Sequence, residues 1–253
     1  MLGKRAFVFI QGGILLLAFA LVGVSSTALA QDQREQRYHV TLTNLTGGQP
    51  FSPPVAATHR PGRHMFQVGH LAIDQLAAIA QDGNDTPMFN LFNGADRVTQ
   101  AVDVGRPLTP HGRVVGSFTD TVAFDIAGRP GDRLSLATML ICTNDGFLGL
   151  DGVLLPHEDA RTFFLVGWDA GRENNTERQQ DIVEPCSLLG PTVLQGVHPS
   201  PNHDTGPGVA TIPPEPIHLH PGITGIGDLN PALHGWKNPV AKVTVERIDR
   251  DDD

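Results

Sequence analysis

Two short stretches of this 253-residue chain hold carboxylates where a β protein would gather its loops. One is Cys142-Thr143-Asn144-Asp145-Gly146, at the end of an apolar segment, and the other is Trp168-Asp169-Ala170-Gly171-Arg172-Glu173, at the end of a second. If the two segments are neighbouring strands, Asp145, Asp169 and Glu173 converge on one point. Oxygen-only ligands of this kind suit a hard cation such as calcium, which takes about 6–8 oxygens from carboxylates, carbonyls and water. The spacing is not that of an EF-hand loop, and Asp-Gly or Asp-Ala-Gly also serves as a plain turn.

A second constellation is His218-Leu219-His220. Alternate residues of an extended strand share a face, so two imidazoles would stand together in a spacing able to hold zinc or copper. A third ligand would come from His198, His203 or His234, and the competing reading is a pair of loop histidines beside Pro221-Gly222. Nucleophile patterns are poor: Ser52 and Ser117 sit in no Gly-x-Ser-x-Gly elbow. Acidic residues are abundant, but nothing marks the paired carboxylates of a glycosidase. Trp168 and Trp236 read as core or loop anchors, and Asn44-Leu45-Thr46 and Asn174-Asn175-Thr176 are glycosylation sequons that matter only in a host that glycosylates.

The elements that must position these groups read mainly as strands. Residues 37–45 alternate, with Tyr38, Val40 and Leu42 on one face, and run into a proline-fixed loop through Pro50, Pro53 and Pro54. Residues 68–81 change to helical period through Leu71, Leu76, Ile79 and Ala80, and Asp82-Gly83-Asn84-Asp85 stops them. Residues 114–126 return to period two, 134–142 form a continuous apolar strand of the buried kind, and 162–168 form another. Val243 and Val245 mark a closing strand, residues 187–216 read as one long loop, and 250–253 form an acidic tail. With 28 Gly and 20 Pro and no alternation of strand with helix, the chain predicts a single antiparallel β-sandwich.

The ends bear on where such a protein works. Lys4 and Arg5 precede an uncharged, mostly apolar run over residues 6–24, and Ala28-Leu29-Ala30 supplies a small-residue cleavage site before Gln31. That order is the pattern of a secretory signal peptide over residues 1–30, against the alternative of a membrane anchor. Taking Lys4 and Arg5 from 18 basic residues leaves 16 against 27 acidic ones, a net charge of −11. Such a surface has no footprint for nucleic acid or anionic lipid. The only cysteines, Cys142 and Cys186, most simply pair as a disulfide in an oxidising compartment, and the alternatives are a reactive thiol or half of a metal site.

Taken together, residues 40–46, Gln49-Pro50-Phe51-Ser52-Pro53-Pro54, the turn from Cys142 to Leu150, Trp168-Asp169-Ala170-Gly171 and Trp236-Lys237-Asn238-Pro239-Val240-Ala241 resemble the spondin domain, which also occurs in single-domain exported bacterial proteins. The resemblance runs from about Tyr38 to Ile248. It implies a C2-like β-sandwich that binds a calcium ion through acidic residues in two turns, with Asp145 and Asp169 at family aspartate positions and Glu173 at a third. The sequence departs from the family where Asn144 replaces a proline, Gly146 a tryptophan and Arg172 a threonine, and where Glu173 is one methylene longer than Asp.

The combined expectation is an all-β, antiparallel sandwich with one or two short helices. It is one domain over residues 31–253 with a core about 38–248, stapled by Cys142–Cys186. It would be secreted, periplasmic or at the cell surface, without stable membrane insertion once the leader is removed. It would act as a calcium-binding recognition or adhesion module for an extracellular protein or glycan, not as a catalyst. The rival is a secreted metal-dependent enzyme built on His218 and His220.

Overall fold

The computed structural model describes residues 34–191 and 209–248, all within a compact unit spanning Asp32–Asp253. The leader, His198, His203 and the acidic tail lie outside the described residues. The chain runs β1 (Gln36–Asn44), β2 (Val55–His59), α1 (Asp74–Asp82), α2 (Thr86–Phe92), β3 (Val98–Asp103), β4 (Thr121–Gly128), β5 (Arg133–Met139) and β6 (Gly146–Leu154). It continues through β7 (Arg161–Leu165), β8 (Trp168–Asp169), α3 (Pro185–Leu189), β9 (His218–Leu219), α4 (Pro231–His234) and β10 (Ala241–Ile248).

Two antiparallel sheets result, a four-stranded one in the order β4-β1-β10-β7 and a six-stranded one in the order β3-β2-β5-β6-β8-β9. They form the β-sandwich. Tyr38, Val40 and Leu42 of β1 and Val243 and Val245 of β10 are buried against Leu134, Leu136, Leu148 and Leu150 of the opposite sheet. The alternation in β1 and β10 follows from having one face on this core and one outside. The outer face of the six-stranded sheet is covered as well. Val55, Ala57, Ala137, Met139 and Phe147 pack there against Leu76 and Ile79 of α1 and Met88 and Phe92 of α2. A sheet buried on both faces explains why β5 is buried without a break from Leu134 to Met139 and why every residue of β2 is buried.

Several boundaries differ from the sequence reading. The helix expected over 68–81 begins only at Asp74, because Gly69 takes a left-handed φ of 82°, residues 68–70 turn, and Leu71 bridges to Pro216. Its end holds, with Gly83 in the left-handed cap conformation. Four short α-helices are present among the described residues, where one or two were expected. The expected strand over 162–168 is two strands in different sheets: β7 pairs with β10, and β8 pairs with β6. Half of the expected turn after Cys142 belongs to strand β6. The disulfide forms as expected, joining Cys142 to Cys186 of α3, with both residues fully buried. Among the described residues no helix is long and apolar enough to cross a membrane.

Candidate metal centre

The site is built from the register of the short strands. Gly146 of β6 lies opposite Asp169 of β8, and Asp169 lies opposite His218 of β9. Asp145 stands just before this row, at the end of a tight turn. There the Thr143 hydroxyl donates to the Leu140 carbonyl at 2.6 Å and accepts the Gly146 amide at 2.8 Å. Gly146 has to lack a side chain, since a Cβ there would meet Thr143 Oγ1 at 2.5 Å and the His220 ring at 3.0 Å.

Asp145 and Asp169 are both buried in this corner. Asp145 Oδ2 accepts the main-chain amides of Arg172 at 2.6 Å and Glu173 at 2.9 Å, whereas Oδ1 is buried with no partner among the described residues. Asp169 Oδ1 accepts the Gly171 amide at 2.8 Å, and Oδ2 accepts from the Asn175 side chain at 2.7 Å. Burial first, and then the charge of Asp169, push the Asp145 carboxyl up to about 7, only partly offset by its two amide donors. A proton on Asp145 or a nearby cation relieves this repulsion.

The third expected ligand behaves differently. Glu173 is buried, but its contact to Asp145 is made by its main-chain amide, and its Oε1 accepts from Gln81 of α1 at 2.6 Å. Arg172 turns outward to an ion pair with Asp74.

The histidines part ways. His218 Nδ1 lies 3.0 Å from the Pro216 carbonyl and its Nε2 lies 3.9 Å from Asp169 Oδ2. His220 is buried against Trp236, with ring centroids 5.0 Å apart. Its Nδ1 accepts the Gly222 amide at 3.0 Å, and burial pulls its pKa down to about 4. A neutral ring that accepts at Nδ1 carries its proton on Nε2, so His220 presents a buried N–H without an acceptor among the described residues rather than a lone pair for a metal. His234 is also spoken for: Nδ1 accepts the Asn230 amide at 3.0 Å and Nε2 lies 3.3 Å from the Pro191 carbonyl.

Glu177 and the Ser135–His59 pair carried no sequence signal. Glu177, at a left-handed φ of 53°, buries its carboxylate under the 224–226 loop. It accepts the amides of Thr224, Gly225 and Ile226 and the Thr224 hydroxyl at 2.6–3.1 Å. Its own amide donates to Asn144 Oδ1 at 3.2 Å, which ties that loop to the Asp145 turn. Elsewhere, Ser135 Oγ lies 2.8 Å from His59 Nε2, a contact of the kind a nucleophile uses. Both residues are fully buried and the Oγ also accepts the Gly152 amide, so the pair ties strands together with no route for a substrate.

Among the described residues no group of three or more His, Cys, Asp or Glu side chains is placed as it stands to hold a metal ion. What the fold brings together is two buried carboxylates, with one oxygen, Asp145 Oδ1, lacking a partner among the described residues. No family model matches this chain, and no curated protein matches it.

Proposed function

We propose that this is an exported, non-catalytic β-sandwich whose loop end binds a calcium ion and serves in recognition or adhesion outside the cytoplasm. The observation that carries the reading is the buried, unpartnered Oδ1 of Asp145 beside the equally buried Asp169. An unpaired buried charge of this kind costs several kcal/mol, and a divalent cation offsets it with no other change to the fold. The resemblance to the spondin domain points to the same two aspartates. The signal-peptide pattern and the buried disulfide suit an oxidising, calcium-rich compartment.

In this reading Asp145 and Asp169 hold the ion, main-chain carbonyls and water complete its oxygen shell, and Glu173 supplies an amide to Asp145. The ion would draw the turns at 143–146 and 169–175 together and fix the surface offered to an extracellular protein or glycan. Calorimetric titration of metal-stripped protein with calcium is the direct test. One equivalent of heat, lost in Asp169→Asn, is expected. No heat, together with a melting temperature indifferent to chelator, would sink the proposal.

A further inference from the structure

His218 was paired with His220 in the sequence, yet it faces the aspartates. Its Nδ1 lies 3.0 Å from the Pro216 carbonyl, which can only accept, so Nδ1 carries the ring proton. In the neutral ring Nε2 is then a lone pair, and it looks across 3.9 Å at Asp169 Oδ2. Two acceptors facing one another at that distance form no hydrogen bond. The gap does approach the edge of a coordination shell: with bonds of about 2.1 Å in a tetrahedron, two ligand atoms stand about 3.4 Å apart. The His218 side chain is 45% exposed, so a small turn about its χ angles closes the difference. A ring N–H fixed on a main-chain carbonyl with the other nitrogen turned inward is also how metal-ligating histidines are usually held. Asp145, whose buried Oδ1 has no partner among the described residues, is near enough for its carboxyl to respond to the charges of both Asp169 and His218.

We infer that His218, with Asp145 and Asp169, forms a mixed nitrogen and oxygen site that takes a first-row transition ion of the zinc class more tightly than calcium. The inference rests on the reading that this loop end holds a cation, and it deepens that reading by naming a third ligand and by ranking a zinc-class ion above calcium at the same site. Two carboxylates alone favour hard ions, whereas an imidazole shifts preference toward zinc and its neighbours. Glu173 is not needed for this set, because its Oε1 is engaged by Gln81. His220 is excluded by its protonated Nε2.

The test uses the metal-stripped mature protein, titrated separately with zinc, calcium and cobalt(II). Wild type should bind one zinc more tightly than calcium, and bound cobalt should show the visible absorption of a nitrogen-bearing, low-coordinate site. His218→Gln should lose at least about tenfold in zinc affinity and the cobalt band, while calcium affinity stays within about twofold. Asp145→Asn should lose both ions. His157→Gln, an exposed histidine just beyond the far end of β6, should change neither. His218 lies in a strand of only two residues at the sheet edge, and circular dichroism of His218→Gln and His218→Ala verifies that both variants fold. Zinc bound as tightly by His218→Gln as by wild type would overturn the inference and leave His218 as a simple ion-pair partner of Asp169. If neither ion binds wild type, the cation reading itself fails. Calcium binding that is lost in Asp145→Asn, with zinc indifferent to His218, brings down this inference alone.

Discussion

Without a bound cation the stability of this protein should fall as pH rises, and Asp145 should be the residue responsible. Burial and the neighbouring Asp169 raise its carboxyl from 3.8 to about 7. A raised acid pKa means the folded chain holds that proton more tightly than the unfolded chain does. The associated stability is complete below about pH 4 and is lost as pH rises through about 7. A shift of about three units corresponds to about 4 kcal/mol, an upper figure for a coupled pair. The fall runs from the unfolded to the folded pKa, so about half of it, ~2 kcal/mol, comes between pH 5.5 and 8.5. For a domain of this size each kcal/mol moves the melting temperature by about 2–4 °C, so the loss over that range should reach about 4–8 °C. Asp145→Asn supplies the comparison. Its carbonyl oxygen can keep the Arg172 and Glu173 amides that Oδ2 accepts, and its NH2 takes the place of the unpartnered Oδ1. The assay is thermal and urea denaturation of chelator-treated wild type and variant across that pH range, with and without millimolar calcium. The difference between the two proteins should grow with pH in favour of the variant, and calcium should restore only wild type. A difference that stays flat with pH would refute the reasoning, since the two carboxylates would then not be held in repulsion.

Two further outcomes are open to direct measurement. Closing the Cys142–Cys186 link, 44 residues apart in sequence, limits the unfolded chain by about 4 kcal/mol in the loop-entropy account. Replacing both cysteines with alanine should lower the urea midpoint accordingly, and an unchanged midpoint would show that the link does not constrain the unfolded state. Glu177→Ala strips an acceptor from the amides of Thr224, Gly225 and Ile226, at a cost on the order of 2–4 kcal/mol. Hydrogen exchange at those three amides should accelerate well ahead of the β1 and β10 core, and protection equal to wild type would count against the clamp.

Strands with one wet face could be read from the sequence. β1 and β10 alternate because Val40, Leu42, Val243 and Val245 face the sandwich core while their neighbours do not. β5 was legible as a mostly apolar run, broken only by Ser135 and Thr138 after Arg133, for the opposite reason, burial on both faces. The same double burial hid β2, where Val-Ala-Ala-Thr-His offers neither alternation nor bulk. β6 was masked by Gly146, Gly149 and Gly152, which look like turn residues. Gly149 lacks a side chain because a Cβ would press on the Leu136 main chain and the Phe66 ring. At the site, the two aspartates were visible as residues that follow strands. The roles of Glu177, whose bonds reach 47–49 residues away, and of His218, whose direction depends on its pairing with β8, exist only in three dimensions.

The convergence of Asp145 and Asp169 depends on the one place where the sequence reading joined what the fold divides. A single strand over 162–168 would have kept Asp169 in the four-stranded sheet with β7, on the opposite layer of the core from β6. The chain instead leaves that sheet after Leu165 and enters the other at Trp168. Gly167 sits at the crossing, where a Cβ would meet the Leu140 side chain at 3.0 Å and the Trp236 ring at 3.2 Å. Its amide is held by Asn238 Oδ1 at 3.1 Å and its carbonyl by the His220 amide at 3.1 Å. Trp236 in turn packs on His220. The stretch around Trp236 and Asn238, far from either aspartate in sequence, thus acts by holding the strand switch, and the switch sets Asp169 beside Gly146 and so next to Asp145. A two-residue strand has too few ladder bonds to hold that register alone. The position of the second carboxylate therefore depends on Gly167, Trp236, Asn238 and His220 as much as on the strand that carries it.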